Sequence, residues 1–127
     1  MRRVSVKHLY ASAGNKFMHQ SNIVKIVVFV PESHADAVRE AMGAAGAGKL
    51  GNYTYCSFST KGLGRFRPET GAHPNIGEVG KFEAVPEEKI EVVCERDKIS
   101  AVVKAIKAVH PYEEVALDIH PLELENF

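Results

Sequence analysis

The chain has 127 residues, 45% of them hydrophobic and 25% charged, a balance that suits one domain around one core. Sixteen basic and sixteen acidic side chains cancel, so no whole-molecule field draws the chain to nucleic acid or to an anionic membrane. No apolar run nears the roughly 20 residues that span a bilayer, and the two cysteines, Cys56 and Cys94, lack CxxC spacing, so a soluble protein of the reducing cytoplasm is expected.

Residues 1–21 contain no acid and carry Arg2, Arg3, Lys7 and Lys16. A signal peptide needs an apolar stretch behind its basic start, and Ser5, Lys7 and His8 interrupt this one. These residues read as an N-terminal extension or an over-called start, with Met18 as the alternative initiator. The domain proper is expected over 22–124, with a short tail at 125–127.

Residues 23–30 (IVKIVVFV) are β-branched and stop at Pro31, which lacks an N–H donor, so they predict a first strand. Over 32–45, Ala35, Val38, Met42 and Ala45 recur every three or four residues, acids lie early, and Gly46 and Gly48 close the pattern, which predicts a helix. The aromatic and hydroxyl-rich run 52–60 predicts a second strand. Residues 61–81, with five glycines and two prolines, predict a long loop. Residues 89–94 alternate as a third strand. Ile99, Val102, Val103, Ile106 and Val109 then mark one face of a helix that must end near His110, because Pro111 follows. Residues 115–120 alternate as a fourth strand.

The order βαββαβ predicts a ferredoxin-like α+β fold, with two helices on one face of a four-stranded antiparallel sheet. The first strand is apolar on both sides: Val24, Ile26, Val28 and Val30 on one, Ile23, Val27 and Phe29 on the other. Exposing such side chains forfeits about 1.5–3 kcal/mol each. Association through the open sheet face is therefore expected.

Three segments carry a family resemblance: residues 46–53 (GAGKLGNY) running into Cys56, Ser57 and Phe58; residues 62–68 (GLGRFRP) through 74–77 (PNIG); and residues 110–114 (HPYEE). Together, in this order over 22–122, they resemble the PII/CutA-like insert domain of the Nif-three-like family, whose members are often labelled type-two GTP cyclohydrolase homologues. The HPYE segment is also similar to CutA. The resemblance implies a homotrimer whose sheets face the threefold axis. It also implies that the family's two-metal site is built by flanking domains which these 127 residues do not contain, the insert capping that cavity.

Several motifs have competing readings. Residues 43–49 (GAAGAGK) approach a Walker A loop, but Leu50 stands where a Ser or Thr would hold magnesium and the glycines follow a helix. A helix C-cap and turn is the better reading. In the predicted loop, Lys61, Arg65, Arg67 and Lys81, with glycine backbone N–H groups and His73, could hold a small anionic ligand or contact a protein partner. Phe66 and Ile76 could equally pin the loop to a neighbouring subunit. His110, Tyr112, Glu113 and Glu114 mix an imidazole, a phenol and carboxylates, with His73 and His120 as further imidazoles. His110 with Glu113 is a candidate pair of ligands for a divalent metal ion, although no zinc-like spacing is present, and a helix-capping His110 is the plainer reading. Cys56 with His110 is conceivable as a catalytic pair, yet strand cysteines are usually inert. No cofactor and no reaction is identified. A non-catalytic trimeric module binding a small anion, a metal ion or a partner at inter-subunit clefts is the leading reading, and a metal-dependent enzyme acting on a nucleotide-like substrate is the alternative.

Overall fold

The structure, a computed structural model, describes the backbone of residues 18–125 and the side chains of residues 22–123. Of the extension expected over 1–21, residues 1–17 lie outside the described residues, and residues 18–21 belong instead to the first strand. Four strands, β1 (Met18–Pro31), β2 (Phe58–Phe66), β3 (Glu83–Glu95) and β4 (Leu117–Glu125), form one antiparallel sheet in the order β2-β3-β1-β4. Helix α1 (Ala35–Ala44) follows β1 through a 3-10 turn, Glu32–His34. Helix α2 (Ile99–Val109) follows β3 through another, Arg96–Lys98. The ferredoxin-like order expected from the sequence is present.

One row of each central strand builds the core. Val24, Ile26, Val28 and Val30 of β1 and Ile90, Val92 and Cys94 of β3 pack against Val38 and Met42 of α1 and Val102 and Ile106 of α2. Both helices therefore cover the same sheet face. Arg39 of α1 fastens this layer at its edge, donating to Asp36 and Glu88 at 2.6 Å each and to Ser59 at 2.9 Å.

The glycines after α1 end the helix. The N–H of Gly46 reaches the carbonyl of Gly43 and that of Ala47 the carbonyl of Met42, both at 3.0 Å, with Gly46 at φ +103°. This is a Schellman cap. It satisfies helix carbonyls, and it turns the chain away from any phosphate-cradling geometry.

Every strand differs from expectation at one boundary or more, β1 beginning at Met18, five residues early. The second strand is 58–66, not 52–60. Residues 50–53 close a tight turn, with reciprocal N–H···O bonds of 2.9 Å between Leu50 and Tyr53, and Tyr55 takes φ +61°. The glycine-rich residues 61–66 that predicted a loop instead pair with Glu83–Glu88 of β3, so the true loop is 67–82. β3 begins at Glu83, six residues early. It accommodates Pro86 because β1 has already ended at the Pro31–Glu87 pair, which leaves the Pro86 nitrogen no ladder partner to lose. β4 starts two residues late and runs on through Pro121.

The open face is also less bare than β1 alone predicts. Val27 is only 3% exposed, and Ile23 and Phe29 are half-buried. Val27 sits in register between Glu91 and Asp118, and Lys25 reaches Glu91 at 3.6 Å. Paired strands thus flank Val27 on both sides, and the Lys25–Glu91 pair lies on the same sheet face. A single strand's pattern does not report them.

Candidate ligand-binding site

Beyond the C-terminal end of β1, the chain builds a cavity of about 390 Å³. Phe29 of β1, Gly64 to Phe66 of β2, Glu87 of β3, the loop from Arg67 to Ile76 and the junction from Tyr112 to Ala116 wall it. Its size and its mainly apolar lining with a few polar groups are those of small-molecule sites.

The wall is organised by the 110–116 junction. Pro111 ends α2, and His110, in extended backbone conformation at ψ 135°, turns its ring inward, 7% exposed. Its Nδ1 accepts the N–H of Tyr112 at 3.2 Å, so Nδ1 carries no proton. The proton is therefore on Nε2, which donates to the carbonyl of Phe29 at 2.8 Å. This strap holds the junction against β1 and directs Tyr112 across the sheet. The Tyr112 ring meets Phe66 edge-on at 6.0 Å, and its hydroxyl donates to Glu87 Oε2 at 2.9 Å. Gly64 leaves room opposite for the Glu87 carboxyl group, which a Cβ there would displace.

Burial first, and then the hydrogen bond and negative charge of Glu87, push the Tyr112 phenol well above the usual value of 10.0. The folded state therefore holds this proton more tightly than the unfolded chain. The associated stability is fully present below pH 10 and is lost as pH rises through the folded value. In an absorbance titration at 295 nm, Tyr112→Phe is expected to remove the most alkaline tyrosinate step. Loss of a step at or below pH 10 would show the phenol to be free of Glu87.

Of the residues singled out in the sequence, Arg65, Arg67, Tyr112 and Glu113 meet at this cavity. Arg67 is already engaged, donating to both Glu69 oxygens at 2.9 and 3.2 Å and lying 5.0 Å over Phe82. Lys61 pairs with Glu32 at 3.5 Å and lines a second, adjoining groove. His73 is exposed and contributes its backbone N–H, which donates to Glu113 at 2.7 Å. The loop cations thus do not assemble into an anion cradle.

The metal pair is likewise separated in function. His110 spends both ring nitrogens on Phe29 and Tyr112, and Glu113 serves His73. Among the described residues no group of three or more His, Cys, Asp or Glu side chains is placed to hold a metal. His110 does act at the helix end, but its ring ties the junction to β1 and leaves the helix carbonyls alone. Cys56 lies outside this cavity, so no pair with His110 forms there. Phe66 and Ile76, for which packing against a neighbouring subunit was the competing reading, line the cavity. Glu114, also part of the candidate junction, lines the cavity, whereas Phe29 and Glu87 were missed, because the predicted third strand began after Glu87 and nothing local marks Phe29.

No family model matches the chain. It is 51% identical over 105 residues to the GTP cyclohydrolase 1 type 2 homolog of Halalkalibacterium halodurans, covering 83% of this chain and 28% of that protein. The solved Bacillus cereus protein related to NIF3 superposes with a TM-score of 0.71 at 44% identity, over 82% of this chain and 26% of that one. The chain is NIF3-related. It corresponds to one segment of these relatives, spanning little more than a quarter of their length. The same fold occurs in the periplasmic divalent cation tolerance protein CutA of Archaeoglobus fulgidus, at 19% identity and TM-score 0.53 over 79% of the NIF3-related chain and 83% of CutA. Among the described residues no helix is long and apolar enough to cross a membrane.

Proposed function

We propose that this NIF3-related domain is a cytoplasmic, non-catalytic ligand-binding module that assembles as a homotrimer. The cavity walled by Phe29, Phe66, Tyr112 and the buried Glu87 carries this reading. Its size and its apolar walls with a few polar groups are those of a binding pocket. Phe58, 69% exposed and in register with Glu91 on the same sheet face as Val27, supports association through that face. Free cysteines, with Cys94 buried and its thiol pushed up by that burial, suit a reducing compartment.

Native mass spectrometry of freshly isolated protein tests both parts together. A three-subunit mass at micromolar concentration, carrying a retained small molecule that is lost on mild activation, is the expected result. A bare single-subunit mass overturns the reading.

The relatives' name favours a second reading, a metal-dependent enzyme or enzyme subunit acting on a nucleotide-like substrate. Consumption of GTP by metal-loaded protein would establish it in place of the first.

A further inference from the structure

We propose that the cavity takes a cationic group, an ammonium or guanidinium, seated on Glu87 between aromatic rings. The inference rests on the reading of this cavity as a ligand site and names the ligand's chemical class.

Glu87 carries the argument. It is 8% exposed and borders both the cavity and the adjoining groove. Oε2 accepts from Tyr112 at 2.9 Å, while Oε1 faces the bare α-carbon of Gly64. Among the described residues no cationic side chain lies within 4.0 Å of this carboxylate. The nearby cations have other engagements or stand off: Lys61 is with Glu32, Arg67 is with Glu69, and Arg65 and Lys89 are exposed. A buried carboxylate with only a phenol for company is costly unless a positive charge reaches it.

The surroundings favour the same sign. Glu113 and Glu114, both exposed, stand at the rim, and the lining residues Phe29, Phe66 and Tyr112 supply aromatic rings whose faces attract a cation stripped of water. An anion here would meet three carboxylates with one uncommitted arginine. The cation has two potential sources, a free small amine or a Lys or Arg side chain of a second copy. The recognition chemistry is shared.

The test titrates the intact protein with n-butylammonium and, separately, with butyrate, following the aromatic NMR signals of Phe29, Phe66 and Tyr112. Butylammonium is expected to shift them, and Glu87→Gln to weaken its binding at least tenfold while the variant melts no lower than wild type. If the cation belongs to a second copy, the probe is excluded and Glu87→Gln instead weakens self-association at least tenfold in sedimentation. Shifts with butyrate but not butylammonium overturn the charge class and leave the ligand site standing. No shift with either probe, together with unchanged self-association of Glu87→Gln, overturns both.

Discussion

Gly48→Ala is expected to lower the unfolding free energy by about 3–5 kcal/mol, combining left-handed backbone strain with the loss of backbone hydrogen bonds. Gly48 sits at φ +81°, and a Cβ there would stand 2.5 Å from the carbonyl oxygen and 2.8 Å from the nitrogen of Cys56. Those atoms are backbone and cannot swing aside. The two residues meet because the Cys56 N–H donates to the Gly48 carbonyl at 2.8 Å, while the Gly48 N–H donates to Val93 of β3 at 2.8 Å. Accommodating a methyl group means separating loop 45–57 from the sheet edge and from the start of β2. Gly51→Ala provides the comparison. It has φ +56° with nothing within 4 Å of the added carbon, so it loses only backbone strain, roughly 1 kcal/mol. Urea denaturation of the two variants measures the difference. Equal losses would mean that the Gly48–Cys56 contact yields easily and that the loop is not held as described.

His110→Ala is the second large effect, with an expected loss of about 3 kcal/mol. It strands the Phe29 carbonyl and the Tyr112 N–H in a buried place, each unmet group costing about 1–3 kcal/mol. It also frees the junction that aims Tyr112 at Glu87. Two readouts should therefore move together: the denaturation midpoint falls, and the Tyr112 ionisation drops toward the usual value of 10.0. Stability of both wild type and variant should be indifferent to added zinc, since neither ring nitrogen of His110 has a free lone pair in the strap. A wild type that gains stability from zinc, with the gain lost in His110→Ala, would assign the imidazole to a metal instead.

These two positions bear differently on what could be read beforehand. Gly48 was legible as a turn glycine, since the helix periodicity of Ala35, Val38 and Met42 ends just before it. His110 was legible as a junction residue, since Pro111 stops α2. Neither the Val93 carbonyl for Gly48 nor the Phe29 carbonyl for His110 could be found locally. Each lies dozens of residues away in sequence and is brought close only by strand pairing.

The sequence by itself determined the two helices, the central strands, the βαββαβ order and the kinship with NIF3-related proteins. Periodicity, caps and motif spacing are properties of neighbouring residues and survive in a linear reading. Only the tertiary structure settles where β2 lies, because glycine-rich residues 61–66 become a strand only with β3 beside them, and the room Gly64 leaves is filled by the Glu87 carboxyl group across the pairing. It also decided the site. The order β2-β3-β1-β4 brings Phe66, Glu87, Phe29 and the 110–116 junction to one end of one face. It likewise places Val27 in register between Glu91 of β3 and Asp118 of β4. Pairing across the sheet is non-local, so a carboxylate that is unremarkable in its own strand becomes the buried centre of a cavity.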